Sequence, residues 1–290
     1  MSFDEFVLHL AIGTSFGLLL FLLASGFTLT FGLARFINLA HGAVFLVSAY
    51  VATAVGEDGG FLLAVLAAAG TGVVLSLAVY ASARIRWGRL GSDELGQVIL
   101  TFGLLLVFAD VARSSWEGLP RSLQEPGFLD GSWAIGDTSF PTYRAFMGGL
   151  SLLLAFSLWW LQERTEFGAL VRAGVDDREM LQASGVSAGP LYVAVFALGG
   201  LLAGVAGGLG APVLGAAMGQ EFTILVFAFV IVVLGGLGSL LGAFAASLAV
   251  GIADAFGKAY IPTFAEFTMM GLVVLVLAWR PGGLFGLGTR

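Results

Sequence analysis

The chain has 290 residues, 58% of them hydrophobic and only 11% charged, against about 25% charged residues in a soluble domain; its formal net charge is −6. This balance excludes a water-soluble globular enzyme, a disordered chain and a basic nucleic-acid binder, so no nucleic-acid partner is expected. With no cysteine and only two histidines, His9 and His41, the sequence offers no disulfide framework, no thiolate site and no self-sufficient metal cluster.

About 20 apolar residues cross a hydrocarbon core of about 30 Å, so the gaps between charges mark the crossings. The opening MSFDEF lacks the basic region of a signal peptide and leads into an uncharged run at 10–34, which predicts a retained first helix. The run at 36–56 is interrupted by His41, and the runs 59–83 and 95–109 follow. A stretch at 112–141, rich in Trp, Pro, Gly and Asp, reads as an ordered surface segment. Uncharged runs at 145–162, 180–220 and 222–253, then 259–279 holding Glu266, complete the set. The expected fold is an all-α polytopic integral membrane protein of eight or nine transmembrane helices in a single domain over 1–290, with the lipid bilayer as its first partner.

Arg84, Arg86 and Arg89 cluster after the third run, and Arg164, Arg172 and Arg178 follow the fifth. Two crossings separate these clusters, so they share a side, and Arg35, Arg280 and Arg290 agree with it. Lys and Arg gather in cytoplasmic loops. The N-terminus, with Asp4 and Glu5, is therefore expected outside and the C-terminus inside the cell membrane. That requires an odd number of crossings, hence nine; eight holds if one broken segment is re-entrant. Arg113 and Arg121, in the outer segment, go against the charge rule.

Two places break the helical pattern. Residues 222–253 divide around Leu234-Gly235-Gly236-Leu237-Gly238-Ser239, leaving pieces 222–234 and 240–253, each about 20 Å long and too short to cross alone. A matching interruption lies at 35–42, Arg35-Phe36-Ile37-Asn38-Leu39-Ala40-His41-Gly42. Broken backbone is tolerated in a membrane where it is buried in protein or lines a cavity, and paired breaks in two halves point to a transport pathway. Asn38, His41, Gly42, Gly235, Gly236, Gly238 and Ser239 are the pathway candidates, although the glycines also suit close packing and His41 a structural hydrogen bond. On a helix Asn38 and His41 would share a face, one turn after Arg35. The spacings Gly13/Gly17, Gly200/Gly204, Gly204/Gly208 and Gly238/Gly242 read as helix-packing faces.

The loop at 163–189 is different in kind. Arg172, Asp176, Asp177, Arg178 and Glu179 alternate in charge around Ala173, Val175, Met180 and Leu181, and Gly185 and Pro190 close the stretch. This predicts an amphipathic cytoplasmic helix, either a solvated connector or one that docks in the groove of a partner protein. No G-x-x-x-x-G-K-[ST], H-E-x-x-H or G-x-S-x-G occurs. No catalytic residue is assigned, and no mid-span acidic relay appears of the kind that a proton-driven transporter uses.

Taken in order, GLARFINLAHGAVFLVSAYVA, VRAGVDDREMLQASGVSAG, VFALGGLLAGVAGGLGAP, VIVVLGGLGSLLGAFAASLAVGIADA and RPGGLFG resemble the LivH-type permease subunits of branched-chain amino-acid ABC transporters, over about residues 8–286. The resemblance implies an importer working by alternating access. Its partners would be a second, LivM-like permease, two ABC ATPase subunits and an extracytoplasmic substrate-binding protein. This chain would itself carry no cofactor and no metal, ATP and Mg being held by the ATPases. The loop from Arg172 to Gly185 is similar to the coupling helix seated in the ATPase cleft, and Asn38–Gly42 to the broken helix beside the pathway. Two positions depart from the family pattern. Ala43 stands where an acidic residue often follows the His-Gly pair, and Phe227 where a Lys often precedes the Leu-Gly-Gly. Both make the pathway more apolar and leave the exact substrate open: branched-chain or other hydrophobic amino acids lead, urea, short amides or small carboxylates follow, and an ion-coupled secondary transporter is the alternative of another class.

Overall fold

The computed structural model describes residues 2–87, 94–280 and 282–285. Arg89, Arg290 and the side chains of Arg86, Arg178, Glu179 and Glu266 lie outside the described set. The chain is a multi-pass helical membrane protein. Its helices are α1 (Phe3–Ala34), α2 (His41–Trp87), α3 (Glu94–Trp116), α4 (Thr142–Arg164), α5 (Glu166–Asp176), α6 (Arg178–Ala183), α7 (Ala188–Leu214), α8 (Gln220–Gly235), α9 (Leu240–Tyr260) and α10 (Ala265–Trp279). Six are long and apolar enough to cross a membrane, and α8 and α10 contribute shorter apolar helices.

α1 begins with a capping box, Ser2 Oγ accepting from the Glu5 amide at 3.2 Å and the Glu5 carboxylate accepting from the Ser2 amide at 3.0 Å. It is buried almost continuously from Phe16 to Thr30 and forms the centre of the bundle. Small residues set its contacts. A Cβ on Gly13 would lie 2.6 Å from Ile252 Cα, and one on Gly17 2.7 Å from the Ser247 carbonyl, which fixes α9 antiparallel to α1. Gly26 likewise meets Gly199 of α7, while Gly200, Gly204 and Gly208 of α7 receive Gly72, Ala68 and Val65 of α2. The Gly238/Gly242 pair is not such a face: Gly238 sits in a turn, with φ 83°, and Gly242 backs onto Gly235.

A straight α2 of 47 residues would reach about 70 Å. It turns back instead at Gly60, where φ is 75° and ψ 171°. Ser48 and Val65, which a straight helix would hold about 25 Å apart, pack on the adjacent glycines Gly207 and Gly208. Only glycine adopts this φ without strain, so the charge-bearing Glu57-Asp58 turn continues the helix up to that point.

The reading of 222–253 as two pieces too short to cross is half corrected. α8 has 16 residues, but α9 continues through Asp254 to Tyr260 and has 21. Lys258 Nζ donates to Asp254 Oδ2 at 2.7 Å one turn later, and the pairing removes the isolated charge that ended the run on paper.

The surface segment is ordered around a small hairpin, β1 (Ser132–Ile135) against β2 (Thr138–Pro141), in the register Ser132 with Pro141 and Ile135 with Thr138. Gly136, with φ 55°, supplies the first turn position and lies against the Asp4 carboxylate. The hairpin and the start of α1 therefore share one end of the bundle. Residue 285 lies at the other: Gly238 packs on Gly32 near the end of α1, and the Phe285 amide donates to the Gly235 carbonyl at 3.1 Å. The described chain thus makes an odd number of passages between an N-terminal and a C-terminal face.

Candidate functional site

The first break starts at Arg35, whose φ of 48° and ψ of 40° stop α1. Residues 35–38 are neither helix nor strand, and α2 resumes only at His41. Asn38 and His41 therefore do not share a helix face with Arg35, as the spacing alone suggested, because the chain leaves helical geometry between them. The imidazole Nε2–H of His41 donates to the Leu23 carbonyl at 2.9 Å. Leu23 lies about three turns below the end of α1, so the break carries the chain back into the bundle and α2 starts at depth.

Around this point polar groups are sealed in. Asn38 is fully buried and His41 is 1% exposed; among the described residues neither amide atom of Asn38 nor Nδ1 of His41 has a hydrogen-bond partner. Thr101 of α3 donates to the Ile37 carbonyl at 3.1 Å and fixes the break from the side. Gly42 lies so close to the Glu221 carbonyl at the start of α8 that no Cβ fits. Glu221 is itself buried, its carboxylate accepting from the Gly219 amide at 2.8 Å. In the sequence Glu221 is the single charge between the uncharged runs 180–220 and 222–253, and its contact with Gly42 becomes visible only in three dimensions.

The second break lies at the far end of α8. Gly236 and Gly238, with φ of 95° and 83°, make the turn, and Ser239 caps α9 by accepting from the Gly242 amide at 3.0 Å. The last carbonyls of α8 are satisfied by a returning strand of chain, Leu284 donating to Leu234 at 2.7 Å and Phe285 to Gly235. Arg280 holds that strand by donating from Nη1 to the Leu284 carbonyl at 2.9 Å. The two breaks are not brought together. They sit at the two ends of α8, which spans about 24 Å.

The loop at 163–189 forms α5 and α6. Thr165 caps α5, and Asp177 caps α6 by accepting from the Met180 amide at 2.9 Å. Val171 and Gly174 are buried and Gly174 meets Leu33, while Asp176 and Met180 are exposed. Arg172 pairs with Glu163 at 3.7 Å rather than facing solvent alone. Gly185, with φ 88°, stands in open space before α7. The link to the second break is direct, since the methyl groups of Val175 lie beside both Gly32 and Gly238.

On the N-terminal face, Arg121 pairs with Glu57 at 3.3 Å. A second group there, Arg144 with Asp254 and Lys258, was not singled out from the sequence. The i,i+4 spacing of Asp254 and Lys258, the sole lysine, was the available signal. Among the described residues no group of three or more His, Asp or Glu is arranged to hold a metal ion.

A family model described as the permease component of branched-chain amino acid transport systems matches residues 10–279. The chain is 27% identical to the high-affinity branched-chain amino acid transport system permease protein BraD of Pseudomonas aeruginosa, covering 98% of this chain and 95% of that one. It is 28% identical to the corresponding LivH of Escherichia coli, covering 98% and 97%, and 28% identical to LivM of Salmonella typhimurium, covering 91% and 67%. Among solved structures, PsaBC from Streptococcus pneumoniae in complex with Fab has a chain of the same fold, with TM-score 0.53, 13% identity and 98% coverage of both chains.

Proposed function

Because the chain belongs to the family of branched-chain amino acid transport permease components, we propose that it is the LivH-type membrane subunit of an ABC importer for aliphatic amino acids. It pairs with a LivM-like permease, receives substrate from an extracytoplasmic binding protein, and is driven by two ATPase subunits that hold ATP and Mg. The observation that carries this reading is the seat of α5 on the second break, where Val175 lies against Gly238. A push on the exposed Asp176 and Met180 of the α5–α6 unit reaches the end of α8 through one side chain. α8, a single rigid helix, then delivers the displacement to the junction of Glu221 and Gly42.

Orientation follows the same logic. Arg35, Arg84, Arg164, Arg172 and Arg280 stand at the C-terminal face, and this excess of basic residues supports a cytoplasmic location for it. Alternating access then consists of two states that the ATPases and the substrate favour differently.

The test is reconstitution of the chain with its partners in liposomes. Leucine-loaded binding protein is expected to stimulate ATP hydrolysis and leucine uptake, and Asp176→Lys to abolish uptake while the complex stays folded. Leucine flux through this chain alone, driven by an ion gradient without ATP, overturns the reading; unchanged uptake and hydrolysis in Asp176→Lys overturns the coupling role.

A further inference from the structure

A cavity of about 440 Å³ opens at the N-terminal face between α1, α4, α7 and α9, within the range of small-molecule sites, about 300–1,000 Å³. Its chemistry is mixed in one particular way. Arg144, Asp254 and Lys258 supply charge, while Ile12, Phe16, Val213 and Leu214 supply an apolar wall. Asp254 is nearly buried, its side chain 12% exposed, and its Oδ2 accepts from Lys258 at 2.7 Å. Lys258 in turn stands 5.6 Å from the centre of the Phe16 ring. Arg144 is half-buried, and although Glu125 acts on it electrostatically, no ion pair within 4.0 Å holds its guanidinium among the described residues. With His9, which also lines the cavity, counted as neutral, the lining carries one cation more than anion.

We propose that this cavity is a reception site for a zwitterionic amino acid with an aliphatic side chain, a proposal that rests on the importer reading and adds to it a place and a chemistry. The α-carboxylate balances the excess cation, taken by Arg144, whose planar fork suits a carboxylate. The α-ammonium goes to Asp254, which keeps acceptor capacity on its second oxygen beside Lys258. The side chain lies on Ile12, Phe16, Val213 and Leu214. A simple amine lacks the partner for Arg144 and a simple carboxylate lacks the partner for Asp254, so the site selects molecules that carry both groups. Its opening at the N-terminal face, the binding-protein side in the importer reading, suits a weak intake step rather than tight capture.

The experiment uses the assembled permease–ATPase complex in nanodiscs without the binding protein, with saturation-transfer NMR of leucine, isopentylamine and 4-methylpentanoate. Leucine is expected to bind, and each analogue about tenfold more weakly. Arg144→Gln and Asp254→Asn are each expected to weaken leucine about tenfold, with part of the loss recovered in Arg144→Lys. Ala259→Trp, at an exposed lining position, narrows the mouth without touching a charged group and is expected to weaken all three ligands. Absence of leucine binding, or equal leucine binding in wild type, Arg144→Gln, Asp254→Asn and Ala259→Trp, overturns the site. Leucine uptake with binding protein and ATP, measured in parallel, separates the two claims: intact uptake with unaltered binding in the variants removes the site and keeps the importer, whereas no uptake by the wild-type complex removes the importer itself.

Discussion

The two ends of α8 meet the two breaks in the chain, and they are built from opposite materials. At the buried end, Gly42 meets the Glu221 carbonyl with no space for a Cβ, and among the described residues three polar atoms of the nearby Asn38 and His41 stand without partners. At the C-terminal face the turn 236–239 has glycine geometry, a serine cap, one exposed leucine, and neighbours on both sides, α5 and the strand at 283–285. Buried polar groups left unsatisfied cost more than apolar ones of the same shape, so the first end is retained at a cost in stability. The second is chemically ordinary, and its importance lies in what touches it. One end therefore carries buried polar groups and the other a turn set by its packing, the joint that the proposed coupling needs.

That contrast can be broken by substitution. The largest effect is expected from Gly42→Val, which forces a side chain into the Glu221 carbonyl; a loss of about 3 kcal/mol is expected, read as a lower thermal midpoint of the purified complex. Asn38→Leu should move stability the other way, by about 1–3 kcal/mol, while leucine uptake falls. A destabilised Asn38→Leu would mean that the asparagine is satisfied in the folded protein and that the polar end is structural. Val175→Ala should cost about 1–2 kcal/mol, and ATP hydrolysis should continue with less uptake per ATP, because the contact between α5 and Gly238 is loosened. Full coupling in Val175→Ala would move the joint elsewhere. The smallest effect belongs to Ser239→Ala, about 1 kcal/mol from the lost cap, with uptake nearly unchanged; a large transport defect there would give the turn a chemical role that its geometry does not supply.

Much of this was legible in the chain itself. The gap between Arg35 and Gly42 and the run Gly235–Ser239 were both read as breaks, and both interrupt the helices, because a residue or glycine outside helical φ/ψ leaves a local mark. The helical character of 163–189 was also local, although the single amphipathic helix expected around Arg172–Leu181 is divided at Asp177 into α5 and α6. Three features were not legible in this way, one for want of a local mark, one through a pairing a single turn away, and one through partners distant in sequence. Asn38, His41 and Arg35 were put on one helical face because nothing nearby announces the left-handed conformation of Arg35. α9 was cut at Asp254 because the charge was counted without the lysine one turn on. Glu221 and Arg144 escaped notice because each looks like an ordinary helix-end charge until the helix beside it is known.

By itself the sequence determined that this chain lives in a membrane, where its helical pattern breaks, and which loop gathers the charge, since apolar length, glycine and charge placement act locally and through the bilayer. Only the tertiary structure decided that the two breaks share one helix rather than one site, that α5 reaches the second of them through Val175, and that Arg144 faces a cavity with Asp254 and Lys258. Such contacts are set by antiparallel packing of glycine-faced helices whose residues stand far apart along the chain, and no local pattern encodes which residues that packing will bring together.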